Sequence, residues 1–196
     1  SIQMILRKGM INDSYALLRK FHDSAILGIY IYLYVEEQMS IENIQSRPSY
    51  IVQQIQDWLH GKNSLPEYRV MSRCIRQNSR VAPITQILLS EESNERYEKL
   101  RGRCNDYVHY NLYHNVLYND PNIYLPNRAQ ILDLFSRDLR DVVILHTAYM
   151  FFINEHYMAA SEYLDCLDCG LTPDPDSQYW VAPFVQKFFD EVIVKY

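Results

Sequence analysis

The stretch NDSYALLRKFHDSAILGIYIYLYVEEQ, Asn12 to Gln38, decides the fold class of this 196-residue chain. Asn12 can cap a helix, and Tyr15, Leu18, Phe21, Ala25, Ile29 and Leu33 recur at spacings of three and four, the period of one helical face. From Ala25 onward the segment is apolar nearly all round, which places it at the centre of a bundle or in an interface. The apolar run ends at Val35, too soon to cross a bilayer, which takes about 20 apolar residues.

The residues from Ser40 to Pro48 read as a connection. Tyr50 to His60 reads as a second helix with Ile51, Ile55, Trp58 and Leu59 inward and Gly61 as its stop. Pro66 suits the first turn of a third, running to about Gln77 with Val70, Met71, Cys74 and Ile75 on its apolar side. Ser90 ahead of Glu91 and Glu92 marks a fourth, expected to continue through Leu117. Pro126 and Asn127 open a long periodic run from Arg128 to about Asp168, bent near Asn154 and closed by Gly170. Residues 1–170 therefore read as one helical bundle. Residues 171–196 read as a Pro/Asp linker, Leu171 to Asp176, and an amphipathic helix from Ser177 to Val194 that packs on the bundle through Trp180, Phe184, Phe188 and Val192. No alternating strand pattern, repeat or low-complexity tract interrupts this order, so the expected architecture is all-α, a bundle of long antiparallel helices.

Composition supports the same class. Glycine is scarce, at 5 residues, and 48% of the chain is hydrophobic, enough for a sizeable core. A net charge of −5 argues against coating nucleic acid by bulk positive charge, though a local basic site is compatible with it. Cys74, Cys104, Cys166 and Cys169 do not make a disulfide framework at this length, and no basic-then-apolar leader is read, so the expectation is a reduced cytoplasmic protein without membrane attachment.

The stretch that carries chemistry is LRGRCNDYVHYN, Leu100 to Asn111. If it is one helix, Cys104, Val108 and Leu112 take the buried side, and Asn105 and His109 form an i, i+4 pair at its edge. Arg103 is offset from His109 by about a third of a turn, within reach of a long side chain. Such a set suits cleavage of an RNA phosphodiester. A histidine exchanges the proton of the 2′-hydroxyl or the leaving oxygen, an arginine holds the phosphate, and Asn105 or Asp106 orients the ring. The scheme needs no metal or cofactor. On the other reading Arg103 pairs with a carboxylate and His109 is a hydrogen-bonded residue at the core edge.

On these residues the chain resembles the HEPN superfamily of helical-bundle proteins, in which an Arg precedes a His by four to six residues with a polar residue close behind the Arg. Arg103 and His109 have five residues between them, and Asn105 and Asp106 stand as the polar element, displaced by one position because Cys104 follows Arg103. The stretch Tyr15 to Arg19 is similar to the first long helix of bacterial members. The resemblance implies a metal-independent endoribonuclease of a toxin–antitoxin or abortive-infection system. It also implies a homodimer with two motifs facing each other, an RNA substrate and an antitoxin or other protein partner. In that scheme Arg103 binds phosphate, His109 is the acid and base, and Asn105 and Asp106 orient. Inactive members of the superfamily serve instead as dimerisation or interaction modules.

A second feature is basic. Arg69, Arg73, Arg76 and Arg80 lie within about 60° of one another on a helical wheel, opposite the apolar side of the third helix. They form either a rail for an RNA backbone or a solvated helix face. Metal sites find little support: Cys166-Leu167-Asp168-Cys169 is one pair where a zinc site wants four ligands, and His22, His114, His146 and His156 default to core or surface positions. The tyrosines Tyr30, Tyr32, Tyr34, Tyr107, Tyr110, Tyr113 and Tyr118 could stack bases but more commonly pack, with their hydroxyls at an edge.

Overall fold

The structure, a computed structural model, describes residues 1–39, 48–84, 91–174, 180–188 and 190. Among the described residues every regular element is a helix, so the chain is all-α. In chain order they are α1 (Ile2–Arg7), α2 (Ile11–Met39), α3 (Tyr50–Leu59), α4 (Tyr68–Gln77), α5 (Glu91–Val108), α6 (Tyr113–Leu117), α7 (Arg128–Ile153), a 3-10 turn (Glu155–Met158), α8 (Ser161–Asp168) and α9 (Pro183–Phe188). None of the described helices is long and apolar enough to cross a membrane.

Helix α2 is the axis of the molecule: α1, α3, α4, α5 and α7 all pack against it. Its apolar period places Tyr15, Leu18, Ile29 and Leu33 in the core, as expected, but Phe21 lies at the rim. Asn12 does not cap it. That residue is buried inside the first turn, and the N–H of Asp13 is instead satisfied by Asn119 Oδ1 at 3.1 Å, while Asn119 Nδ2 donates to Asp13 Oδ1 at 2.7 Å. Ile11 N–H bonds the Tyr118 carbonyl at 3.1 Å. The helix start is thus fixed by a loop more than 100 residues away in sequence.

Several boundaries differ from the sequence expectation for local reasons. Helix α5 stops at Val108 rather than Leu117, because Tyr110 turns into the left-handed region (φ 50°) and the Asn111 N–H reaches back to the Asp106 carbonyl at 3.1 Å, a C-terminal stop usually built on glycine. The long run from Arg128 to Asp168 is two helices. Asn154 leaves helical geometry, and its side-chain oxygen accepts the His156 N–H at 3.0 Å, which starts a new turn. Gly61 and Gly170 stop α3 and α8 at positive φ, as read. In α3 the buried pair is Val52 and Ile55, whereas Leu59, expected inward, is 67% exposed; in α4 Val70 likewise faces solvent. Trp180 is exposed too, with its ring 4.5 Å from that of Tyr163. Phe188 packs on Phe151 at the end of α7. The expectations for Ser90, Ser177, Val192 and Val194, for the connection up to residue 47, and for the side chain of Phe184 fall outside the described residues.

The core is divided. One apolar cluster joins Ile26, Ile29, Tyr30 and Leu33 of α2 to Ile55, Met71, Ile75, Tyr97, Leu145 and Tyr149. The other joins Ile11, Tyr15 and Leu18 to Leu100, Cys104, Tyr107, Tyr118, Phe135 and Val142. Between them α2 carries Arg19, His22 and Asp23, a polar belt across its middle.

Candidate functional site

The belt on α2 is matched by polar groups on its neighbours. His22 occupies the wheel position between Leu18 and Ile26, four residues from each, and is only 2% exposed. Its Nε2 shares a 2.8 Å hydrogen bond with the Tyr68 hydroxyl, to which Ser72 one turn along α4 is also hydrogen-bonded. Burial pulls the His22 pKa down to about 4, so the ring is neutral at pH 7 and places no charge in the belt. The guanidinium of Arg101, from α5, lies 3.9 Å over the Tyr68 ring, a cation–π contact. Arg19 Nε donates to Asp23 Oδ2 at 2.6 Å, and Arg19 Nη1 donates to Asn105 Oδ1. Arg101 Nε and Asp23 Oδ1 face each other at 3.8 Å, beyond hydrogen-bond reach; both are shut off from solvent and neither has a hydrogen bond within the protein. Burial, and then the nearby charge of Arg19, push the Arg101 pKa below the ordinary arginine value. Positive charge is therefore in local excess here.

Two depressions flank this belt. A cavity of about 490 Å³ opens between α4 and α5, walled by Arg69, Arg73 and Arg76 of α4, Arg101 of α5 and the carboxylate-bearing Glu98. Ile26, Tyr97, Leu145 and Tyr149 form its apolar side. Across the Tyr68–Asn105 divide lies a more open groove of about 610 Å³ bordered by Arg19, Lys20, Asp23, Met71, Asn105 and His109. Tyr68 and Asn105 belong to the walls of both.

The sequence-predicted residues distribute over this geometry unequally. Asn105 and the exposed His109 share the groove. Arg103 is not among its walls. It turns to α7, where Nε donates to Asp138 Oδ2 at 2.9 Å and Nη2 to Asp138 Oδ1, a two-pronged pair with a carboxylate that is 1% exposed and also accepts the Tyr15 hydroxyl at 3.2 Å. Asp106 accepts from Asn111 Nδ2 at 2.9 Å, and its carbonyl accepts from Asn115 Nδ2, so it braces the α5–α6 turn. Of the basic row, Arg69, Arg73 and Arg76 meet at the cavity, whereas Arg80, beyond the end of α4, bonds Glu36 and the Ile153 carbonyl at 3.2 Å. Among the described residues no carboxylate lies in ion-pair range of Arg69 or Arg73.

Sequence reasoning did not find Arg19, Tyr68 or Arg101. A signal was present for the first: Arg19, His22 and Asp23 interrupt the buried face of the most apolar helix at i, i+3 and i+4. No group of three or more His, Cys, Asp or Glu side chains among the described residues is arranged to hold a metal ion. Cys166 is half-buried and Cys169 exposed at the end of α8, both as free thiols. Fold and site together define an all-helical protein with a concentrated guanidinium site. Compared with protein-family models, with curated proteins and with solved structures, the chain matches none.

Proposed function

We propose that this chain is a HEPN-like helical domain that binds RNA through its phosphates. The observation that carries the reading is the convergence of Arg69, Arg73, Arg76 and Arg101, from two helices, on one cavity in a chain of net charge −5. An arrangement of planar, permanently charged donors in an acidic protein favours phosphate oxygens. Arg69 and Arg73 are exposed, so their reversal tests binding without disturbing the core. Arg69→Glu with Arg73→Glu should weaken binding of single-stranded RNA by about tenfold or more and make the salt dependence shallower by about 1.4 in log–log slope. Fluorescence anisotropy across a salt series measures both, and an unchanged affinity removes the arginines from the interface.

The finer form of the proposal is cleavage. Asn105 and His109 border the groove that adjoins the cavity, and Arg19, bonded to Asn105, supplies a guanidinium there in place of Arg103. A strand held by the arginines would pass this divide, and His109 would exchange the 2′-hydroxyl proton without a metal, in the setting of an RNase of bacterial defence. His109→Ala should abolish metal-independent cleavage and the cyclic phosphate ends it leaves, with helicity unchanged by circular dichroism. Persistent cleavage in that variant sinks the catalytic claim and leaves the binding claim intact.

One observation favours a second reading, an interaction or dimerisation module without catalysis. Val108, Tyr110, Leu112, Tyr113 and Val116 are all exposed in one short segment around His109, a row of apolar side chains of the sort that protein partners cover.

A further inference from the structure

We infer that the arginine cavity takes the terminal phosphomonoester of an RNA strand. This deepens the RNA-binding reading and rests on it. The cavity is blind on its apolar side: Ile26, Tyr97, Leu145 and Tyr149, each at most 5% exposed, belong to the larger core cluster, so a ligand entering past the arginines meets the packed interior. A strand that merely lies along a rail needs no such depth. An end fits it.

Charge points the same way. Arg69, Arg73, Arg76 and Arg101 surround about 490 Å³, a volume in the range of small-ligand pockets, with Glu98 in the same wall and Asp23 Oδ1 3.8 Å from Arg101 Nε. An internal phosphodiester brings one negative charge to such a pocket. A terminal phosphomonoester carries about 1.5 to 2 negative charges at pH 7 and presents three oxygens to the guanidinium groups, so it brings more charge and more acceptors than any single internal linkage. Arg101 is already set for it. Its guanidinium carbon lies 3.9 Å from the centre of the Tyr68 ring, and Tyr68 is itself fixed by the buried His22, an ordering that lowers the entropy lost when a planar donor pair grips phosphate oxygens. Because Tyr68 and Asn105 border both depressions, a strand anchored by its end leads across that divide toward His109.

The test uses the full chain and one short single-stranded RNA sequence in three forms: 5′-phosphate, 3′-phosphate, and hydroxyls at both ends, followed by anisotropy of an internal label. One phosphorylated form should bind about tenfold tighter than the hydroxyl-ended strand, and which of them does so identifies the end recognised. Arg101→Lys, which keeps the charge but loses the planar fork, should erase that preference. Should this variant melt early by circular dichroism, Arg69→Gln at the exposed wall serves instead and should shrink the preference. Equal affinity for all three RNAs overturns end recognition while the RNA-binding reading stands. Failure of every form to bind overturns both.

Discussion

Arg103 shows how a single buried carboxylate commandeers a side chain. Asp138 lies almost wholly out of solvent, and an unpaired carboxylate there would be strongly disfavoured, so the fold supplies it with the fork of Arg103 and the hydroxyl of Tyr15. Arg103→Met should therefore destabilise the protein by about 3–5 kcal/mol in urea unfolding, because the buried carboxylate keeps only the Tyr15 hydroxyl and loses its counter-charge. Adding Asp138→Leu to that variant should recover most of the loss, whereas an Arg103 acting only on a ligand would leave stability unchanged. His22 gives the second residue-scale prediction. Its folded pKa of about 4 lies below the ordinary 6.5, so the unfolded chain binds the proton more readily. The stability contribution is complete above pH 6.5 and falls as pH drops toward 4. Between pH 7 and pH 5 it should fall by about 2 kcal/mol, with the half-buried His146 acting in the same direction. The groups around the ring are Arg19 and Asp23 on α2, Tyr68 on α4, Arg101 on α5 and His146 on α7. Urea midpoints at the two pH values should converge in His22→Gln, and a wild-type slope in that variant would assign the effect elsewhere.

At the scale of elements, the helices form where periodicity puts them but end where other parts of the chain allow. The N-terminus of α2 is the clearest case. The two hydrogen bonds between Asp13 and Asn119 cap a helix from across the fold, so Asn119→Ala should cost about 1–2 kcal/mol of stability by thermal or urea unfolding. Asn12→Ala, read from sequence as the cap, removes no such bond. The end of α5 is similar. Tyr110 adopts a left-handed backbone that costs a side-chain-bearing residue about 1–2 kcal/mol, yet the turn persists because the Asn111–Asp106 and Asn115–Asp106 hydrogen bonds hold it. That turn exposes His109 at a helix end instead of placing it inside two continuous turns.

In the whole molecule, one helix organises two apolar clusters and the polar belt between them, and the guanidinium cavity sits where that belt reaches the surface between α4 and α5. The all-α class was readable from residues 12–38 because a helical period over so long a run leaves few other ways to bury its apolar side chains. The shared face of Arg69, Arg73 and Arg76 was readable for the same reason: residues at i, i+4 and i+7 on one short helix need no tertiary information to align. Arg80 departed from the row because it lies beyond the helix end, where Glu36 and the Ile153 carbonyl bind it. Arg101 could not be assigned to the same site beforehand, since it enters from a different helix.

The all-α class, the central apolar helix and the clustering of arginines along one helix were legible in the residues alone, since they follow from the 3.6-residue period and side-chain chemistry within a few turns; helix α1, the breaks after Val108 and Ile153 and the exposure of Leu59 and Val70 were not. Which partner each long polar side chain takes was set by the packing of helices that are far apart in the chain. Arg103 and Arg101 are two residues apart in sequence and project in different directions. One meets a buried carboxylate on α7, the other an aromatic face on α4, and the burial of the groups they meet assigned one to the core and the other to the cavity.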